Sequence, residues 1–314
     1  MASQEWKLLP KQESRQGPGL CVAAGNVTMR TDNASERGTG MSPIYFRNTW
    51  ERGFGTYPLK GDALAEALRH AVEAGYRAID TAQMYNNEAD VGRALKTLGV
   101  AREQLCVTTK VHPDHFGAGH FLASVEQSLK DLQLDVIDVL LLHWPPIGGE
   151  IEPALHQLAE ARRRGLTRHI GISNYNVAMM EQARILLGDE PIACNQVEFH
   201  PLLDQHRLLE AAARTGIPLS SYCSVARGEV FKYPLLTELA RDYGRTPAQI
   251  VLHWILQHGV AINTMSTKPA NIRANFDLMD FTLSTPDLTR IDALMQTGYR
   301  IVTRDVARWA PEWD

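Results

Sequence analysis

The sequence predicts an α/β fold, a closed (β/α)8 barrel, and three observations carry that prediction. From Gly53 onward, short aliphatic or β-branched runs alternate with amphipathic stretches. Eight such units follow one another with no linker or composition break between them. The glycine fingerprint that opens a doubly wound nucleotide-binding sheet is missing.

The first strand is expected around Gly53–Thr56. Gly53-Phe54-Gly55-Thr56-Tyr57-Pro58 has no third glycine, and Pro58 spoils a helix start there, which argues against the doubly wound alternative. A helix follows, with Ala63, Leu64, Ala67, Leu68 and Ala71 on one face. The remaining strand runs are Arg77–Asp80, Leu105–Lys110, Val136–His143, His169–Ser173, Ile192–Val197, Ile217–Tyr222 and Val260–Thr264. Their midpoints lie about 25 to 43 residues apart, enough for one helical crossover each. Leu122, Val125, Leu129 and Leu132 form a second helical face, and Leu155, Leu158 and Ala161 a third. Asp62, Asn87, Ser124 and Asn176 suit caps or first turns.

Residues 1–43 differ from the rest, mixing Gly, Ser, Asn, Gln and Arg without an apolar period. Leu20-Cys21-Val22-Ala23 and Val27-Thr28-Met29 flank Gly25-Asn26, a hairpin-like pattern, and a loose leader is the alternative. The domain organisation is therefore an N-terminal extension over 1–43, hairpin or disordered, and a barrel over 44–314. A length of 314 residues allows two domains at about 150 residues each, but barrels of this class run past about 250 as one domain.

Composition narrows the function. Hydrophobic residues at 44% and charged residues at 22% are those of a soluble globular chain. A net charge of −4 leaves no basic footprint for nucleic acid or an anionic membrane. Runs such as Val139-Leu140-Leu141-Leu142 fall far short of the roughly 18 residues of a membrane span. The first 30 residues show no secretory signal, so a cytoplasmic location is expected. Cys21, Cys106, Cys194 and Cys223 show no CxxC spacing and read as free thiols in a reducing compartment.

The ends of the strands carry the chemistry, because in a barrel the loops there surround one mouth. Strand two ends in Asp80, strand three in Lys110 and strand four in His143, with Tyr85 one turn beyond Asp80. Singly, each has an ordinary explanation: Asp80 caps a helix, Lys110 is a solvated strand end, His143 is a satisfied core histidine. Together they suit proton transfer to a carbonyl oxygen. A phenol is a weak acid at neutral pH, and a neighbouring ammonium lowers its pKa. Lys110 can supply that ammonium, Asp80 can hold Lys110 charged, and His143 can donate a hydrogen bond to the substrate oxygen.

These residues sit in longer motifs. Asp80-Thr81-Ala82-x-x-Tyr85-x-Asn87-Glu88, Thr109-Lys110, Leu142-His143-Trp144-Pro145, Gly171-Ile172-Ser173-Asn174-Tyr175 and Asn195-Gln196-Val197-Glu198-x-His200-Pro201 resemble the aldo-keto reductase family, in order, over roughly Gly53 to Phe281. The resemblance implies a TIM barrel and NAD(P)H-dependent reduction of an aldehyde or ketone, with Asp80, Tyr85, Lys110 and His143 as the catalytic tetrad and Tyr85 as general acid. It implies cofactor contacts at Thr56, Ser173, Asn174 and Gln196, a nicotinamide-stacking ring at Tyr222, and a pyrophosphate loop at Ser224 and Val225. In that loop the family's Ser-Pro-Leu-Gly run reads Cys223-Ser224-Val225-Ala226. Ser266, Asn271 and Asn275 match positions around the adenosine phosphate. Met265 and Asn271 stand where the family's lysine and arginine clamp the 2′-phosphate of NADP, so NAD is an expected second cofactor.

Tyr57, His112 and Trp144 match substrate-pocket walls. The segment from Trp144 to Glu152 is short, as in bacterial members of the family. In the tail Tyr299–Asp314, Arg300, Arg304 and Arg308 are expected to be solvated; the alternative, since the family's tail borders the mouth, is an anionic or polar substrate. His112, His115 and His120 share a glycine-containing loop with Asp114 as its only carboxylate, and no metal is expected there. The absence of a His-x-His strand end also disfavours a metal-dependent hydrolase. The partner is then a small carbonyl compound, and the chain a monomer or weak homo-oligomer. A nicotinamide-binding regulatory subunit with slow turnover is the alternative reading.

Overall fold

Gly53 and Gly171 show why the strands can close into a ring. A Cβ on Gly53 would stand 2.2 Å from the Asn263 side chain, and one on Gly171 would stand 2.6 Å from Leu141 and 2.9 Å from the Cys194 carbonyl. A side chain at Gly171 would force the β6 backbone to shift, and one at Gly53 would force the Asn263 side chain to turn away. The computed structural model describes residues 44–46, 49–117, 119–148 and 150–314, and in it eight parallel strands pair in sequence order, the first closing on the eighth. The hairpin-or-leader expectation for residues 1–43 lies outside the described residues.

The strands are β1 (Arg52–Gly55), β2 (Ala78–Asp80), β3 (Cys106–Val111), β4 (Ile137–Leu142), β5 (Thr167–Ser173), β6 (Ile192–Glu198), β7 (Leu219–Tyr222) and β8 (Ala261–Thr264). Between the first seven run α1 (Gly61–Ala74), α2 (Glu88–Leu95), α3 (Phe121–Leu132), α4 (Glu152–Arg163), α5 (Val177–Leu187) and α6 (His206–Thr215). The expected runs are recovered with shifted ends: β3 continues to Val111, which pairs with Leu142, and β5 begins at Thr167. The widest interval, before β8, holds two helices, α7 (Pro234–Asp242) and α8 (Pro247–Gln257). The break between them is chemical: Thr246 and Gln249 form a reciprocal capping box with Pro247 at the first helical position. Then α9 (Pro269–Phe276) and α10 (Thr285–Asp292) follow β8.

Helix faces follow the apolar period. α1 buries Leu64, Ala67, Leu68, Ala71 and Val72, whereas Ala63, expected on that face, is exposed because it sits a turn too early. Asn176 caps α5 by accepting from the Met179 N–H. Asn87 occupies the corresponding position before α2, but its side chain turns inward instead, as described below. Side chains between barrel and helices form the main core. Inside the barrel, small residues (Ala78, Cys106, Ala193, Cys194, Ala261) leave room for Tyr45, whose hydroxyl bonds Thr108 at 2.8 Å. Among the described residues no helix is long and apolar enough to cross a membrane.

Candidate active site

The ends of two neighbouring strands, β2 and β3, meet at Lys110. It lies on β3, fully buried, and its ammonium donates to Asp80 Oδ1 at 2.5 Å, to the Thr81 carbonyl at 2.9 Å and to the Tyr85 hydroxyl at 3.3 Å. Three donors therefore have three acceptors, the condition under which a buried charge is tolerated. Burial pulls the Lys110 pKa down, but Asp80 and Tyr85 outweigh it and the net shift is upward. Asp80 ends β2, and its second oxygen accepts from Gln196 Nε2 at 2.8 Å.

Tyr85 closes a 3-10 turn, Gln83–Tyr85, that follows β2 directly. Its ring lies edge-on to His143 at 5.5 Å between centroids and against Tyr57 at 5.1 Å. The expectation that Lys110 lowers the Tyr85 pKa holds for that contact alone. Burial is the larger effect, and the net shift is upward. His143 stands one residue past β4, and burial, Lys110 and His112 push its pKa well below the usual histidine range, so the imidazole is neutral at pH 7. Its Nδ1 is enclosed and has no hydrogen-bond partner among the described residues.

Of the predicted cofactor residues, Ser173, Asn174, Gln196 and Tyr222 form one network with His143 and Asp80. Ser173 ends β5 and donates to the Gln196 carbonyl at 2.7 Å. Asn174 Nδ2 donates to the His143 carbonyl at 2.9 Å and to Ser173 at 3.1 Å, and Asn174 Oδ1 accepts from the Tyr222 hydroxyl at 2.6 Å. Thr56 follows β1 and receives the Asn87 amide at 3.2 Å, while Thr81 donates to Asn87 at 2.7 Å. That is why Asn87 forms no helix cap. Ser224 bonds Ser221 at 2.7 Å and the Asn263 carbonyl at 3.3 Å, and Val225 follows it half-buried. Ser266, Asn271 and Asn275 lie apart from that network, on the segment after β8 and on α9. Met265 and Asn271 are exposed there, and Ser266 accepts from the Lys268 N–H at 3.1 Å.

The predicted substrate residues surround Tyr85 and His143. Tyr57 is on Tyr85, Trp144 stacks near His143 at 6.3 Å, and His112 meets Trp309 of the tail edge-on at 5.2 Å. The tail is held by a group whose role the sequence does not reveal. Glu198, fully buried at the end of β6, accepts from the Ile301 and Val302 N–H groups at 2.7 and 2.8 Å and from His200 at 2.8 Å. Arg304 and Arg308 make exposed ion pairs with Glu312 and Asp114, as solvated arginines do. Arg300 departs from that expectation: it is half-buried, stacked 4.0 Å over the Trp313 ring, with Nη1 enclosed. The Trp313 ring covers it.

Glu88 is a buried carboxyl at the start of α2, accepting from Thr109 at 2.5 Å and Ser128 at 3.1 Å. Burial raises its pKa to about 7, against the two hydroxyl donors.

Comparison with known proteins places this geometry. The model of the aldo/keto reductase family matches residues 49–296. Methylglyoxal reductase DkgB of Yersinia pestis is 37% identical over 264 residues, which cover 83% of this chain and 98% of the relative. An aldo-keto reductase of Mycobacterium tuberculosis is 39% identical over 244 residues, 77% of this chain and 86% of the relative. A crystal structure described as that of a candidate 2,5-diketo-D-gluconic acid reductase B superposes with a TM-score of 0.80 at 40% identity, covering 84% of this chain and 93% of that one.

Proposed function

Because the chain belongs to the aldo-keto reductase family, whose members reduce carbonyl groups with NAD(P)H, we propose that Tyr85 is the general acid of such a reaction and that Lys110, Asp80 and His143 enable it. The observation that carries this reading is the contact chain Asp80–Lys110–Tyr85 with neutral His143 beside the phenol. Burial keeps Tyr85 protonated until it is needed. As its proton passes to the carbonyl oxygen, the charge left on the phenolate lies beside an ammonium already fixed in place, with no reorganisation required. The reduced nicotinamide supplies the hydride when bound. His143 holds the oxygen by donating from Nε2, since an enclosed N–H without an acceptor would be the costlier arrangement at Nδ1. Water then reprotonates Tyr85.

The residues present fit a nicotinamide cofactor. Gln196 Nε2 is committed to Asp80, but its Oε1 accepts no hydrogen bond among the described residues, and Asn174 Oδ1 keeps a second lone pair. A carboxamide needs such acceptors. Ser173, Asn174, Gln196 and Thr56 would hold that end, with the Tyr222 ring beside it, and Ser224, Val225, Ser266, Asn271 and Asn275 the phosphates. At the 2′-phosphate, Met265 and Asn271 offer no charge, while Lys268 and Arg273 remain on the same segment, both exposed. Lys268 precedes Pro269 at the start of α9, and Arg273 lies two residues from Asn271 and points off its face. The cofactor is therefore NADP with relaxed selectivity, NAD competing unusually well.

The name of the Yersinia relative points to small dicarbonyl substrates. Tyr57, His112 and Trp144 would wall such a pocket. Buried free thiols at Cys106 and Cys194 suit a reducing cytoplasm, and a monomer or weak homo-oligomer suffices, since the tetrad lies within one chain. The test mixes the protein with NADPH and methylglyoxal or a panel of small aldehydes and follows the loss of cofactor absorbance. Turnover is expected. Cofactor binding without turnover would favour the regulatory-subunit reading instead.

A further inference from the structure

Gln83 lies two residues before Tyr85 in the same 3-10 turn. Its amide oxygen accepts from the His112 backbone N–H at 2.8 Å and from His115 Nδ1 at 2.8 Å. Its amide nitrogen donates to Ser128 Oγ at 3.0 Å and to the Ser124 carbonyl and hydroxyl at 3.2 Å each, all on α3. One half-buried side chain thus joins three elements: the turn that carries the acid, the segment after β3, and α3. The next residue, Met84, packs against the cluster of Trp144, Val302, Ala307 and Ala310. From its outer side the His112 segment is held by the Arg308–Asp114 pair and by the Trp309 ring.

The segment carries a donor of fixed polarity. His112 Nδ1 accepts from the Asp114 N–H at 3.1 Å, so in the neutral ring the proton is on Nε2. Its ring lies close enough to His143 to affect that residue's charge.

We propose that Gln83 is a specificity-determining positioning residue: it holds the His112–His115 segment at a set distance from Tyr85, and so fixes where the His112 wall stands relative to the transferred proton. This rests on the reading of His112 as a pocket wall. Gln83 touches no reacting atom, so its removal should alter how well substrates are held more than how fast the held substrate reacts.

Gln83→Met keeps the length of the side chain and removes all its hydrogen bonds, and Gln83→Glu keeps the acceptor for His112 and His115 but loses the donors to α3. Three measurements separate the possibilities: hydrogen exchange of the His112 amide, the affinity for NADPH, and KM and kcat with methylglyoxal and a bulkier aldehyde. For Gln83→Met, faster exchange at His112, unchanged cofactor affinity, a KM raised about tenfold and a kcat within about threefold of the parent are expected. Gln83→Glu should return exchange and KM most of the way. If Gln83→Met does not fold, His115→Ala removes one of the same bonds from outside and should shift exchange and KM in the same direction by less. Unchanged exchange, or faster exchange with unchanged KM, overturns the proposal. So does a fall in kcat at constant KM, which would mean that Gln83 acts through Tyr85. A parent protein that binds cofactor but reduces no carbonyl would remove the functional reading, whatever the exchange result, and the substrate role of Gln83 with it.

Discussion

Lys110 is the residue on which the site turns, since its three hydrogen bonds define where Asp80 and Tyr85 must stand. Those partners were legible in the sequence because a charged residue ending an otherwise apolar strand run is conspicuous, and strand order then says what converges. The net upward shift of Tyr85 was not legible, because it depends on how much protein surrounds the ring. Arg300 escaped for the same reason: nothing in its neighbours along the chain shows that Trp313 folds back over it. Cofactor selectivity is also a matter of single residues. Each charge-assisted contact to a 2′-phosphate is worth about 1.5–3 kcal/mol, and on the proposed cofactor reading Met265 and Asn271 provide neither of the usual two. Parallel titrations of NADPH and NADH should therefore show a modest preference for NADPH. A preference above about a thousandfold, roughly 4 kcal/mol, would show that Lys268 or another group restores the clamp.

Between elements, the polar contacts that matter are buried and long-range. Glu88 ties α2 to β3 through Thr109 and to α3 through Ser128, and Gly92 lets α2 and α3 approach so closely that a Cβ there would stand 2.3 Å from the Asp131 carbonyl. The apolar period announced the helices, but a period cannot show that one acid of α2 faces inward. Its raised pKa has a consequence for stability. The folded carboxyl holds its proton up to about pH 7, whereas the unfolded one releases it near pH 4.5. Between those values the folded state binds more protons, so this group makes stability fall as pH rises from about 4.5 to 7. Glu88→Gln, which keeps an acceptor and cannot ionise, should match the parent's melting temperature more closely at pH 5 than at pH 8. At pH 8 the variant should be favoured by up to about 3 kcal/mol. Melting curves at the two pH values check this, and a difference independent of pH would mean that Glu88 does not titrate in this range.

Over the whole molecule, one architectural fact organises the rest: eight parallel strands end at the same face, so residues distant in sequence become neighbours. Asp80 and Gln196 share a hydrogen bond across 116 positions, and Glu198 and Val302 across 104. The eight-unit repeat was visible because each strand is a short apolar run buried on both sides. The role of Glu198 in holding the tail was hidden, because its partners there are backbone N–H groups, and any residue of the tail could have supplied them. The extra helix before β8 appeared in the sequence only as a long interval, and the Thr246–Gln249 box that divides it is a signal that could have been read.

The central claim is that this barrel mouth reduces carbonyl groups with Tyr85 as proton donor. Tyr85→Phe tests it most directly, since the change keeps the ring and removes the transferable proton. NADPH affinity, measured by fluorescence titration, should stay close to that of the parent, while the reduction rate falls by about 10²–10⁴-fold, the contribution expected of a positioned general acid. Near-parental turnover by the Phe variant, with cofactor bound, would contradict the account.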